Sequence, residues 1–422
     1  MLTVLFGAGA SRDFFKPALT TQYLTEAVKD PHNWIRVINH YQAIKDSSIV
    51  VTDPTRVIRL INLILGANPY FNFEQIAEVL DKLCSYWFDS LPMNTMLGAL
   101  ESIFKKIYSG NVPWARYSGW DDIPFLFRQI IAEAILNLQD NYQSPDHNTI
   151  LLNQKTFIES LLKSDNDISL ISLNYDETLA NSIEGLGFDT CFGASQLPGQ
   201  LNEIDINKFF NCRKVVYYPH GHVRFRFTDQ LNVEYYRDGN FANQQRWVGL
   251  DSAMPGANMP ITKGKFAYNF NSFITTGQTK DDILNYLPYS VYYQRMALDL
   301  FKSDKLFIIG YSFGDEHINR FLKSYLKSGQ NKNVIIVDYY NKPITMINKH
   351  QNAKDIILKI NNVFGPEWRV YVNTDGQKVA WDEKEIVNLN NSGFGQIFYQ
   401  VYFYKNGYAQ FLKDWINERI TL

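Results

Sequence analysis

Cysteine is scarce. Cys84, Cys191 and Cys212 are the three in 422 residues, and no Cys-x-x-Cys pair occurs. That excludes a disulfide-stapled scaffold and a four-cysteine zinc site, and it makes a reducing cytoplasm the simplest expectation. Charge of one sign is also lacking: 41 Lys and Arg against 43 Asp and Glu leave a formal net charge of −2, with no basic run. Direct nucleic-acid binding and attachment to an anionic membrane are therefore not expected. No apolar run reaches the ~18 residues that mark a transmembrane helix. The short apolar run after Met1 lacks the basic n-region of a secretory signal. Internal repeats and low-complexity tracts are missing as well. What is plentiful is core material: 45% apolar and 15% aromatic residues beside 20% charged. This is a globular composition, in a chain long enough for about two or three domains.

Five β-rich runs stand out: Leu2–Phe6, Ile168–Leu173, Lys214–Tyr218, Lys305–Ile309 and Asn333–Val337. Each is continuously apolar or nearly so, as strands buried on both faces are. Each runs into Gly, Asn, Asp, Pro or Ser, the residues of tight turns. With helical patterns between most of them, they predict an α/β fold: a Rossmann-like, largely parallel sheet with helices on both faces. Residues 1–20 and 166–345 are expected to form that domain.

Residues 21–165 read as a large helical insertion or cap. Asn72 and Gln75 make a capping-box pattern. Phe73, Ile76, Ala77, Leu80, Leu83 and Cys84 follow at the spacing of one buried helix face. Leu97–Ile107 and Ile130–Leu138 repeat the pattern, the latter after Pro124, suited to a first helical turn. Residues from about 225 to 290, rich in Asn, Gly, Gln and aromatics, read as irregular. A C-terminal extension, 346–422, should hold a hairpin turning at Asp375-Gly376, an aromatic strand Ile397–Tyr404 and a helix from Tyr408 to about Ile420.

Polar motifs fall at the strand ends, where open parallel sheets bind ligands. Gly7-Ala8-Gly9-Ala10-Ser11, with Arg12 and Asp13 behind it, follows the first run. Two glycines let backbone approach a pyrophosphate, and amides at a helix start can hold the anion. Arg12 stands where a full Gly-x-Gly-x-x-Gly has its third glycine, so a plain strand-to-helix turn stays open. Asn174-Tyr175-Asp176 follows the second run, placed for chemistry or for capping the next helix. His220 and His222 follow the third. His-x-His on a strand can turn both rings to one metal, but no cysteine or carboxylate motif nearby completes a set. A base titrating near neutrality suits one of them better, and a structural turn is the plain reading. Gly310-Tyr311-Ser312-Phe313-Gly314 matches the nucleophile elbow of serine hydrolases, with Asp338 and His350 following in their order. The spacing argues against it: Asp338 ends the very next strand and His350 stands only 12 residues on. The other use of Ser312 is to hold ribose or phosphate at a helix start, where Asp315 and Glu316 suit the dipole.

Together these runs resemble the Sir2 family, and within it the divergent SIR2-like branch of bacterial anti-phage defence. Gly7-Ala8-Gly9-Ala10-Ser11 is similar to the family's Gly-Ala-Gly-x-Ser loop, and Asn174-Tyr175-Asp176 to its Asn-Tyr-Asp motif. Pro219-His220-Gly221 resembles its catalytic His-Gly, and Gly310-Tyr311-Ser312 with Asp315 its NAD-binding segment. Asn333–Asp338 resembles the strand whose end holds the adenosine ribose. The likeness covers roughly residues 1–345. Two departures matter. The paired Cys-x-x-Cys zinc module by which deacylase sirtuins resemble one another is absent, and about 165 mostly helical residues separate Gly9 from Asn174.

The resemblance thus implies an NAD+ glycohydrolase, with NAD+ as substrate and no metal. It implies that Gly7, Ala8, Gly9, Ala10, Ser11 and Asp13 bind the dinucleotide at its pyrophosphate, and that Gly310, Ser312 and Asp338 bind it at the adenosine ribose. Asn174 would position the attacking water, Asp176 would bind the carboxamide region or support the developing cation, and His220 would be the general base. An NAD-dependent protein deacylase, a non-catalytic nucleotide sensor and a serine hydrolase stay as alternatives. An unrestrained NADase would kill its host. Regulation is therefore expected from homo-oligomer assembly or from a partner, in the family an ATPase or helicase. The helical insertion and the aromatic tail are candidate assembly surfaces.

Overall fold

The computed structural model describes residues 1–44, 54–88, 123–194, 200–223, 225–227, 233–236, 287–329, 332–340, 356–364, 371–372, 378–379, 394–398 and 400–420. Its strands are β1 (Leu2–Phe6), β2 (Ile168–Ser172), β3 (Phe192–Ala194), β4 (Gln200–Ile204), β5 (Lys214–Tyr217), β6 (Phe225–Phe227), β7 (Val233–Tyr236), β8 (Lys305–Ile309), β9 (Asn333–Val337), β10 (Tyr371–Val372), β11 (Lys378–Val379), β12 (Phe394–Phe398) and β13 (Val401–Tyr404). The main sheet runs β12-β13-β9-β8-β1-β2-β5, parallel throughout except for the edge pair β12 and β13. Taken in chain order, the parallel strands stand third, second, first, fourth, fifth, sixth. This is the doubly wound order of dinucleotide-binding folds. The chain changes direction across the sheet between β1 and β8, so a crevice opens there beyond the carboxyl ends of the strands.

The apolar runs form these strands because both of their faces are covered. β1 and β2 are buried along their whole length and β8 from Leu306 onward, each buried Leu, Ile or Phe contributing about 1.5–3 kcal/mol. One face carries helices His147–Ser164 and Tyr408–Ile416. There Phe157 meets Phe307, Phe411 and Trp415 edge-on at 5.6, 5.5 and 5.2 Å. The other face carries helix Tyr289–Lys302. The Tyr217 hydroxyl donates to Asp299 Oδ2 at 2.9 Å, and Arg295 Nε pairs with Asp299 at 2.6 Å. Burial pushes the Asp299 carboxyl up and the Arg295 charge pulls it back. Lys332 closes that helix: its Nζ donates to the carbonyls of Leu300, Phe301 and Ser303 at 3.1, 2.7 and 2.6 Å. These groups of the helix's end otherwise lack partners within it.

The helical segment is tied down by side chains. The predicted capping box closes, with Asn72 N donating to Gln75 Oε1 and Gln75 N to Asn72 Oδ1, both at 3.0 Å, and starts helix Phe73–Phe88. Phe73 N also donates to Thr25 Oγ1 at 3.0 Å, joining this helix to Thr21–Lys29. Arg36 pairs with Glu133 at 2.7 Å, linking helices Pro31–Ile44 and Ile123–Asn141. Gln139, on the latter, exchanges hydrogen bonds with Glu177, one residue beyond the Asn-Tyr-Asp motif.

The structure departs from the sequence reading in several places. The aromatic run Ile397–Tyr404 is not one strand: β12 and β13 form a hairpin, with Gln400 at φ +64° beside the reversal. β13 pairs parallel with β9, so what reads as an appended tail supplies the sixth parallel strand. Such pairing is nonlocal and leaves no mark on the tail's own residues. Cys191 and Cys212, remote in sequence, lie close enough to influence each other: the neighbouring Cys191 thiol brings Cys212 down to about 7, and Cys212 together with burial pushes Cys191 up. The terminal helix ends at Ile416. β10 and β11 pair antiparallel on either side of Asp375-Gly376. That turn, the Leu97–Ile107 pattern, most of 225–290 and His350 lie outside the described residues. No helix among the described residues is long and apolar enough to cross a membrane.

Candidate active site

A cleft of about 340 Å³ lies at the switch point, a size usual for small-molecule sites. Gly7, Ala8 and Ser11 reach it from β1, Asn174 and Asp176 from β2, His220 from β5, and Tyr311, Ser312 and Asp315 from β8. Its remaining walls come from places the sequence did not suggest. They are Leu19–Thr21 and Leu24, the helix start Asn72–Glu74, and Lys359 of helix Ile356–Phe364.

Ser11 is the hub of the floor. Its Oγ donates to Asp176 Oδ2 at 2.6 Å and accepts from Asn174 Nδ2 at 2.8 Å. Because the hydroxyl proton goes to Asp176, the Asn174 group facing Ser11 must be the N–H₂. The amide orientation follows, and Asn174 Oδ1 is left buried with no partner among the described residues. Asp176 is itself enclosed, with the Thr178 amide and hydroxyl on Oδ1. Burial pushes its carboxyl up, and the bonds from Ser11 and Thr178 pull it back. Asp176 is thus engaged by Ser11 and Thr178, and Ser11 links it to Asn174.

The glycines work differently from the sequence expectation. Gly310 sits at φ +63° against the Gly7–Gly9 turn, where a Cβ on it would stand 2.2 Å from Ala10 N. The amides of Gly7, Gly9 and Ala10 donate to the carbonyls of Ile309, Gly310 and Gly7. Gly9, Ala10 and Gly310 therefore lock two strand ends together and do not line the cleft. Asp13 is exposed in the 3₁₀ turn Arg12–Phe14, also outside the lining. Of the expected anion cradle, Gly7, Ala8 and Ser11 face the cleft. The loop after β8 is stiffened by Tyr311, whose hydroxyl lies 3.0 Å from Asp315 O and 3.1 Å from Asn319 Oδ1. Lys359 Nζ donates to Ser312 O at 3.0 Å.

The elbow reading of Ser312 finds no support. The left-handed residues of this turn are Gly310 and Phe313, not Ser312. No histidine meets its hydroxyl among the described residues. Asp338, at the end of β9, lies beside the charges of Arg12 and Lys359 rather than in the lining. Burial pushes its carboxyl up to about 6 against the Tyr339 amide bond and those two cations.

The two histidines of His-x-His part company. Residues 218–222 turn instead of continuing β5, with Gly221 at φ +90°. His222 Nε2 lies 3.1 Å from Asp176 O and its ring 4.3 Å from that of Tyr218. His220, nearly fully buried, meets His317 from helix Glu316–Tyr325 instead, Nε2 to Nε2 at 3.4 Å. Asp315 joins them: one ligand-type atom from each of the three residues lies within 4.8 Å of the others. Asp315 and His317 stand within the run the sequence singles out around Ser312, but nothing local shows that they face His220.

A doubly wound α/β protein with polar strand ends converging on its switch point is the class that fold and site define. Comparison with known families agrees. Residues 168–363 match the family described as SIR2-like domain. That stretch thus carries a SIR2-like domain, which supports a relation to the Sir2 family. The match begins at β2, yet the sheet sets β1 and its Gly-x-Gly turn between β2 and β8. A SIR2-like domain points to NAD-related activity in general. No curated protein matches the chain.

Proposed function

We propose that this protein is an NAD+ glycohydrolase, hydrolysing the bond between nicotinamide and ribose. One observation carries the reading: Asn174 Oδ1 is a buried acceptor at the switch-point cleft, oriented by Ser11 and without a partner among the described residues. A buried acceptor of this kind is costly unless a ligand or water fills it. A water held there stands ready beside C1′ of a nicotinamide ribose. Cleavage passes through an oxocarbenium-like state, as in glycoside hydrolysis. Nicotinamide leaves as a neutral base, so no general acid is needed. The incoming water gives up one proton, and His220, in the same cleft, accepts it.

The rest of the wall fits a dinucleotide. Lys359 brings a cation to the same cleft as Gly7 and Ala8, where a pyrophosphate would pass. Asp338, flanked by Arg12 and Lys359, is placed for the adenosine ribose. Leu19–Thr21, Leu24 and Asn72–Glu74 add a wall from the helical segment, and NAD+ hydrolysis is favoured over deacylation because the chain lacks the paired Cys-x-x-Cys module by which deacylases resemble one another. The biological use we infer, resting on the resemblance, is depletion of NAD+ in bacterial anti-phage defence. Restraint would come from homo-oligomer assembly or from a partner such as an ATPase or helicase. Because β12 and β13 complete the main sheet, such contacts belong to outer surfaces rather than to a removable tail.

The test is to incubate the purified chain with NAD+ and identify the products by mass. Nicotinamide should appear in equal amount with ADP-ribose or its cyclic form. His220→Ala and Asn174→Ala should each lower turnover about 10²–10⁴-fold. Binding of NAD+ without nicotinamide release would instead make the protein a sensor, and release that requires an acyl-peptide would make it a deacylase.

A further inference from the structure

The meeting of His220 with His317 has a geometry of its own. Two imidazoles on one zinc-type ion, with metal–nitrogen bonds of about 2.0–2.1 Å and a tetrahedral angle, hold their ligating atoms about 3.4 Å apart. The observed Nε2 to Nε2 separation is 3.4 Å. The third residue of the trio, Asp315, supplies a carboxylate within 4.8 Å of both rings. Two imidazoles and one carboxylate, with a coordination position left over, form a donor set that borderline transition-metal dications favour.

The three ligands also come from well-supported places. His220 follows β5 in a turn fixed by the bond from Gly221 N to Tyr218 O at 2.9 Å. Asp315 and His317 sit on the loop and first helical turn after β8, braced by Tyr311 and by Asn319, whose Nδ2 donates to Phe313 O at 3.1 Å. The His317 ring rests 5.7 Å from that of Tyr293. Sites assembled on such supported elements need little rearrangement to bind.

We propose that His220, Asp315 and His317 form a site for a zinc-type dication at the wall of the cleft, and that filling it silences the enzyme. A ring nitrogen whose lone pair is on the metal cannot accept a proton from water. The silencing rests on the role proposed above for His220; the binding does not.

The experiment is a titration of the full chain, stripped with chelator and desalted, with Co²⁺, followed by the visible ligand-field bands of four-coordinate cobalt. One equivalent should bind and be displaced by one equivalent of Zn²⁺. His317→Gln and Asp315→Asn should each weaken the binding at least tenfold, while His32→Gln, an exposed histidine elsewhere, should leave it unchanged. Absence of saturable bands, or bands that persist in both His317→Gln and Asp315→Asn, overturns the site. In parallel, nicotinamide release is measured with and without stoichiometric Zn²⁺. Loss of turnover on loading, reversal by chelator, and loss of this zinc sensitivity in His317→Gln support the silencing. Full turnover by the loaded enzyme overturns it and leaves the site standing. Cobalt binding by a chain that releases no nicotinamide even when metal-free overturns the glycohydrolase reading, and the silencing with it, but not the site.

Discussion

Ser11→Ala isolates the step on which the proposed chemistry turns. The substitution removes one oxygen that serves two buried partners, Asn174 Nδ2 at 2.8 Å and Asp176 Oδ2 at 2.6 Å. Asp176 keeps its two bonds from Thr178, so the main orphan is the Asn174 amide. A buried donor left without an acceptor costs about 1–3 kcal/mol. The missing bond to the carboxyl adds to that, so a loss of about 2–4 kcal/mol is expected in a urea melt. The kinetic effect should be larger than stability alone explains. With its N–H₂ released, the Asn174 side chain no longer fixes where Oδ1 points, and a misplacement of this order costs about 100-fold in turnover.

The measurement is kcat for nicotinamide release at saturating NAD+, for Ser11→Ala, Asn174→Ala and the double variant. If Ser11 works through Asn174, the double variant falls little below Asn174→Ala alone, because the two positions form one unit. Two results would refute the reasoning. One is a Ser11→Ala protein that loses stability yet keeps wild-type kcat. The other is a double variant whose loss equals the product of the two single losses.

Four further outcomes follow from the structure. Gly310→Ala should fail to give soluble folded protein, since its Cβ would press on the backbone of Ala10 and Gly9, whereas Gly314→Ala, with nothing nearer than Ser312 Oγ at 3.4 Å, should fold; expression and melting curves separate the two. Lys332→Met should destabilise by about 1–3 kcal/mol in a urea melt, because the last carbonyls of helix Tyr289–Lys302 lose their donor. Asp338, held up at about 6, favours the folded state fully below the ordinary carboxylate range, and that contribution is lost as pH rises through about 6. Asp338→Asn should therefore flatten the stability profile between pH ~4 and ~7 and, if Asp338 binds the ribose, raise the KM for NAD+; an unchanged profile would contradict the shift. Cys212, brought down to about 7, should be the first described thiol to react with iodoacetamide near neutrality, and Cys191→Ala should slow it by removing the neighbouring donor that lowers it; peptide mapping reads both.

How much of this could be read in the residues follows from range. Strands buried on both faces write themselves as apolar runs, so β1, β2, β5, β8 and β9 were legible to within a residue. Their order could not be read from the runs themselves, and β13 was missed as a member of the sheet, because its partner β9 lies more than 60 residues away. Capping is local, and the Asn72–Gln75 box was legible for that reason. The strand-end motifs were legible as candidates, but what each does depends on the partner that folding brings. Gly9 and Gly310 read as ligand-binding glycines and pack on one another outside the lining, while Gly7 both packs on Gly310 and faces the cleft. His220 and His222 could not be told apart as the candidate base, and a turn at Gly221 sends His222 to Asp176 O while His220 stays in the cleft.

The roof of the cleft shows why a sufficient local explanation can hide a site. Asn72 has a complete structural account as the cap of helix Phe73–Phe88, and Thr20 as the cap of Thr21–Lys29. Nothing in either residue's surroundings along the chain asks for a second role. Yet the bond from Phe73 N to Thr25 Oγ1 brings the two helix starts together, and both line the cleft. A helix start is where backbone N–H groups outnumber their partners, so it suits an anionic ligand once the fold points it at one. Lys359, in no motif of the sequence, likewise reaches the cleft and donates to Ser312 O. The helical segment therefore lends the cleft two of its helix starts. A variant that loosens it without touching a strand end, such as Thr25→Val, should raise the KM for NAD+ more than it lowers kcat. An unchanged KM with a melting point lowered as for any buried cavity would return the roof to plain scaffold.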